Sequence, residues 1–312
     1  MFKSMLAVTV LGAALCATSA PAHAGDGTGL LKFAPESTQI VFVFDVADSR
    51  DSTLLQKGMS KLLDASPETK AKLTELGIDP MKDVDTIMFA GGGAKDLQDD
   101  GPKDMVIVIE GPALKDKLPK MPDATKATYQ GIDIYTRKDT DAAIIDGRIF
   151  FVKAGKMKGE IDLALNKGKG KGKNAAVSKK AKALRDAVAA TDTKADAWAT
   201  ILVPAKNQAE MKAQGMVAKT VSLGVNFTAD LAMAMRLGTD AEASAAKLVG
   251  MVQAQLPQIS QAAGSIGLSK AAKSFTVGQD KALVNISLTL TEAELMSLVN
   301  LAKQFGGMGG NP

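Results

Sequence analysis

The chain has 312 residues, 38 basic and 34 acidic, with a single histidine and a single cysteine. Both of those, His23 and Cys16, fall within the first 24 residues. If that segment is removed, Ser-His-Asp and Cys-His nucleophiles, zinc sites built on imidazole or thiolate, haem ligation by histidine and iron–sulfur clusters all go with it.

Residues 1–24 have the three parts of a secretory signal peptide. Lys3 gives the positive start, Met5–Ala17 the apolar run, and Ala22-His23-Ala24 the small-x-small cleavage site. The apolar run falls short of the roughly 20 residues a spanning helix needs. The expectation is an exported protein, periplasmic or secreted. Acylation at Cys16 is the lesser alternative, because Leu15 is bulkier than the small residue such processing favours. Export permits disulfides, yet no cysteine would remain to form one.

In chain order, a first α+β half is expected over 25–166. Gln39–Val46 is apolar on both faces, as in a central strand. Leu54, Leu55, Leu62 and Leu63 follow at helical spacing. Ser66-Pro67-Glu68 opens another helix, and Gly77 with Ile78 closes it. Val84–Ala90 and Met105–Ile109 read as strands, and Pro112–Leu118 as a short helix. A meander then turns at Gln130-Gly131 and Asp146-Gly147, since Asp-Gly accepts the left-handed torsions of a tight hairpin.

Lys167-Gly-Lys-Gly-Lys-Gly-Lys-Asn174 buries nothing and repels itself, so 167–174 is expected to be a linker. It lies in a basic strap, Lys153–Arg185, in which eleven basic residues face only Glu160 and Asp162. Lys167, Lys169, Lys171 and Lys173 are the candidate contacts for an anionic polymer or surface. Aromatic residues lie only at the strap's edge, which argues against nucleic acid.

The second half is expected over 175–305, with a disordered tail at 306–312. Ala197–Val203, carrying Trp198, reads as a strand, and Gln208–Ala218 as a helix. From Val221 to Leu237 every odd position is apolar, which gives two strands turning near Thr228–Asp230. Thr239-Asp-Ala-Glu242 has the spacing of a capping box. It would open a helix with Ala245, Leu248, Val249, Val252 and Leu256 on one side. Strands are expected at Ser274–Val277 and Leu283–Leu290. A second capping box, Thr291-Glu-Ala-Glu294, opens a last helix. The fold class is therefore α+β: antiparallel sheets with helices on one face. A tandem duplication is expected, with the opening elements in ferredoxin-like order.

The remaining motifs carry little chemistry. Ser244-Ala-Ala-Lys247 has Ser-x-x-Lys spacing without the companion elements of penicillin-recognising enzymes. Asp96–Asp104 imitates a calcium loop, but Ile107 stands where the bidentate glutamate belongs. Asp45/Asp48/Asp51 and Asp79/Asp83/Asp85 are acidic loop clusters. Gly91-Gly92-Gly93 opens no helix that could cradle a phosphate. No metal or cofactor is expected, and catalysis is not. The methionines read as core filler, or as the lining of an apolar ligand site.

Ala127-Thr-Tyr-Gln-Gly-Ile-Asp-Ile-Tyr135 and Ala142-Ala-Ile-Ile-Asp-Gly147 resemble a pattern in exported bacterial proteins of unknown function that pair a signal peptide with two α+β halves. The resemblance implies fold and export, and transfers no active site. The functional expectation is a non-catalytic envelope or secreted protein that binds a partner or ligand. The alternatives are a periplasmic carrier of a lipid or other apolar molecule, and a hydrolase using Ser/Lys or carboxylates.

Overall fold

β1 (Ile40–Asp45) forms the seam of the molecule, pairing with β2 (Thr86–Gly91) on one side and β8 (Ala197–Leu202) on the other. The computed structural model describes residues 27–92, 105–112, 114, 123–165, 176, 178–179, 181–213, 215 and 217–298. The Lys/Gly tract, the calcium-like loop, the signal segment, the tail and most of Pro112–Leu118 lie outside the described residues.

All twelve described strands join one antiparallel sheet, in the order β11-β12-β10-β9-β8-β1-β2-β3-β7-β6-β5-β4. From the seam outward the first half contributes β2, β3 (Val106–Glu110), β7 (Arg148–Lys153), β6 (Thr140–Ile145), β5 (Ile132–Arg137) and β4 (Thr125–Tyr129). The second contributes β9 (Ala218–Phe227), β10 (Leu231–Thr239), β12 (Leu283–Leu290) and β11 (Thr276–Asp280). In both halves three strands run outward in chain order, and the chain then crosses to the far edge and returns. The first half has an additional hairpin, β4-β5.

This order is not ferredoxin-like. In that unit another strand separates the two joined by the first helix, whereas β1 and β2 are direct antiparallel neighbours. Their connection packs the short α1 (Val46–Ser49), α2 (Thr53–Ala65), α3 (Pro67–Leu76) and α4 (Pro80–Asp83) between the two strands.

Helices lie on both faces of the sheet, where one covered face was expected. Val41 and Val43 of β1 point into a core closed by a 3-10 turn (Thr28–Phe33), α5 (Met157–Ala164) and α6 (Lys182–Ala189). There Trp198 is only 1% exposed and Phe33 meets Phe150 edge-on at 5.1 Å. Phe44, two residues after Phe42 on the opposite side, joins a second core with Leu54 and Leu55 of α2, Ala271 of α9 (Ser269–Ser274) and Leu295 of α10 (292–298). Alternation along β1 thus feeds two cores, and the seam strand needs both faces apolar. Beyond β8 the side shared with the first core is polar at Asn226, Asn285 and Ser287, so there one face is covered and one is wet.

Local chemistry fixes the element ends. Gly77 takes φ 63° and closes α3, with Ile78 N–H reaching Leu73 O at 2.8 Å. Asp146 and Gly147, at φ 52° and 76°, form the β6-β7 turn. Thr291 and Glu294 make the reciprocal capping box: Thr291 N–H donates to Glu294 Oε2 at 3.0 Å, and Glu294 N–H to Thr291 Oγ1 at 3.3 Å. The same spacing at Thr239 forms no box. Its hydroxyl bonds the carbonyls of Ala241 and Ala282, and α8 (Glu242–Ser265) begins without a side-chain cap. Two other boundaries also differ from expectation. The helix expected to reach Ala218 is α7 (Ala205–Ala213), and α9 extends through Ser274 before β11 starts.

Candidate functional site: an apolar lane across the seam

Strand registers place one apolar row across the molecule on the second core's side. Met235 lies opposite Leu223, Leu223 opposite Ala199, Ala199 opposite Phe42, and Phe42 opposite Phe89. The row continues through Ile107 to Phe151. Seven strands at about 4.8 Å spacing make a lane of about 29 Å. A second row, Leu237–Val221–Ile201–Ile40, runs beside it. Neither row contains a charged residue.

Apart from Ile107, which is buried, these side chains are incompletely covered. Further along the same strands, two to four residues away, Phe44, Val225, Phe227 and Leu231 are buried, and Phe44 meets Phe227 edge-on at 5.9 Å. In the lane Phe42, Phe89, Leu223 and Met235 are half-buried, as are Ile201, Val221 and Leu237. Phe89, Ile201, Val221, Met235 and Leu237 belong to neither buried core. Phe42 and Phe89 stand at 6.1 Å with tilted rings, beside the seam. Half-buried apolar residues scattered singly are ordinary on a protein surface; a contiguous set contributed by both halves marks a place of contact. Beyond Phe151 the apolar row ends: the same register passes Ala142 and Tyr135 to Lys126, which is held to Asp133 at 2.7 Å.

A pair of acids, Asp45 buried and Asp196 half-buried, lies at the other end of the seam. Burial pushes Asp45 up to about 6, a rise that hydrogen bonds from Asp48 and Ala47 N–H oppose and neighbouring charges on Asp48 and Asp196 assist. Burial also raises Asp196, against a hydrogen bond from Phe227 N–H. Two carboxyl groups with displaced pKa values are the ordinary sign of acid–base machinery. Both are occupied structurally. Asp45 caps α1 by accepting Asp48 N–H, is only 8% exposed, and donates its own backbone N–H to Asp196 O at 2.7 Å. Asp196 Oδ2 anchors the end of β9.

The residues singled out in the sequence resolve into scaffolding. Ser244 Oγ donates to Asp240 at 2.7 Å, a bond from the first turn of α8 back to the residue before its N-cap. Asp79 caps α4, Asp83 accepts Asp79 N–H at 2.8 Å, and Asp85 pairs with Arg50 at 2.8 Å. Among the described residues no group of three His, Cys, Asp or Glu could hold a metal ion. Thr191, Thr200 and Ser222 form a buried hydroxyl cluster under α6, bonded at 2.7–2.8 Å. The lane itself went unrecognised in the sequence. Its local signs were the apolar character of both faces of Gln39–Val46 and the apolar odd positions from Val221 to Leu237.

No family model matches the chain, and no curated protein matches it. Solved structures do, among them crystal form I of TP0453. That match has a TM-score of 0.51 at 12% identity and covers 86% of this chain and 95% of the other. At that identity the likeness concerns the fold alone.

Proposed function

We propose that this is an exported, non-catalytic protein that binds an apolar ligand or an apolar segment of a partner along the lane. The observation that carries the reading is the uncharged, half-covered set of side chains crossing the seam, beside the closed core at Phe44, Val225, Phe227 and Leu231 on the same strands. A carrier of a lipid or other apolar molecule is the form of this proposal that the lane's length favours, because about 29 Å accommodates an extended acyl chain. The acids at the seam bond backbone amides, which supports binding over hydrolysis. A matching path of strands in the two halves supports their origin by duplication.

Native mass spectrometry of the purified protein tests the carrier form. A co-purifying apolar molecule, lost from a Phe89→Lys, Met235→Lys variant that keeps the native circular dichroism, is the expected result. A clean apo mass for the unmodified protein, together with no uptake of added fatty acid or phospholipid, would reject the carrier.

Lys167, Lys169, Lys171 and Lys173 remain the proposed contact with an anionic surface. Retention on heparin should disappear when all four become Ser, and unchanged retention would remove them from the proposal.

A further inference from the structure

Among the described residues, β4 and β11 are the two edges of the sheet, and they are built differently. An edge strand exposes unpaired backbone N–H and C=O groups, and natural sheets blunt such edges with lysine, proline or a bulge. β4 has exposed Lys126 near its middle. β11, Thr-Val-Gly-Gln-Asp, has none of these devices, and its only charge is Asp280 at the end.

α8 lies over β11 and β12 beside that open edge. Gln279 Nε2 donates to Glu242 O at 3.0 Å and ties the start of the helix to the strand. Residues 248–269 contain no Asp, Glu, Lys or Arg, in a chain with 23% charged residues. Met251, Ile259 and Ile266 are 42%, 40% and 47% exposed. At about 100° per residue Met251 and Ile259 fall about 80° apart on the helix, and Ile266 follows as its C-terminal cap. They form an unpartnered apolar stripe with no charge to repel a like surface.

We propose that a second copy of this chain docks there, β11 against β11 and α8 against α8, around a two-fold axis. An isologous interface sets a surface against itself, so a suitable surface is uncharged or charged off-axis. Antiparallel self-pairing centred on Gly278 satisfies this. Asp280 then falls opposite Thr276 of the other copy, and only Gly278 faces itself. Beyond Lys247 in its second turn the helix carries no Lys or Arg, which disfavours an anionic lipid surface as the occupant, since amphipathic helices that lie on such membranes carry several basic residues along the polar face. This surface is separate from the lane, so either proposal can fail alone.

Sedimentation velocity of the purified protein at up to about 100 μM tests it, with a concentration-dependent dimer expected. A Cβ at Gly278 meets nothing within 4 Å, so both substitutions there are sterically open. Gly278→Ala keeps the dimer, whereas Gly278→Lys weakens it at least about tenfold, and so does the pair Met251→Lys, Ile259→Lys. A monomer throughout the range would overturn the proposal, as would a dimer indifferent to both sets of changes. Flotation of a monomeric protein with phosphatidylcholine/phosphatidylglycerol vesicles, abolished by Met251→Lys, Ile259→Lys, would assign the stripe to a lipid surface instead.

Discussion

Asp45 couples the seam to pH. Its folded pKa lies above that of an unfolded aspartate, so folding takes up a proton between about pH 6 and 4. Its contribution is therefore most favourable below the unfolded value and is lost as pH rises through about 6. Asn keeps the size and the carbonyl acceptor for Asp48 N–H while removing the buried charge. Asp45→Asn should raise stability at pH 8 by about 2 kcal/mol and flatten the pH dependence between 8 and 5. Urea melts of both proteins at the two pH values check this, and an unchanged difference between them would refute it. Glu294 works in the opposite sense. Burial would raise its pKa, but bonds from Ala271, Thr291 and Lys270 outweigh that and hold it below the usual glutamate value. Its contribution is present above the unfolded pKa and lost as acid protonates it. One side chain caps α10 and also accepts both Lys270 N–H and Ala271 N–H at the start of α9. Glu294→Ala should cost about 2 kcal/mol by denaturant titration at pH 7.

Elements whose signals are local were legible in the sequence. The Asp146-Gly147 hairpin, the alternation from Val221 to Leu237, Gly77 and the Thr291–Glu294 box all occur as expected. Elements decided by distant partners were not. Thr239 has capping-box spacing, yet Ala282 and Ala241 carbonyls claim its hydroxyl. α9 extends through Ser274 because its N-terminal amides are bonded by a glutamate 23 residues away in sequence. α5 lies within the basic strap and α6 begins in it, where charge concealed the short apolar faces of Met157 and Ile161 and of Leu184 and Val188. Gly111 shows the same dependence on distant contact. A Cβ there would lie 1.8 Å from Asp83 O, so β3 can end against α4 only as glycine. Gly111→Ala should cost about 1–3 kcal/mol, read as a lowered melting midpoint.

At the scale of the molecule, an expectation of two α+β halves leaves open whether they sit side by side or share a sheet. Pairing of Ile40–Phe44 with Ala197–Ile201 makes the sheet continuous. That non-local pairing also creates the lane: Phe42 and Phe89 come from one half, Ile201, Val221 and Met235 from the other. No inspection of either half alone would have assembled it. The polar far side of β9–β12 and the tight packing around Trp198 leave the lane as the apolar surface common to both halves.

The most direct test of the account is a titration with N-phenyl-1-naphthylamine, an uncharged apolar dye that brightens when it leaves water. The account predicts saturable binding near one dye per chain, weakened at least about tenfold by Phe89→Lys, Met235→Lys, with Met251→Lys, Ile259→Lys binding as the unmodified protein does. No saturable brightening, or brightening that survives the lane substitutions unchanged, would contradict it.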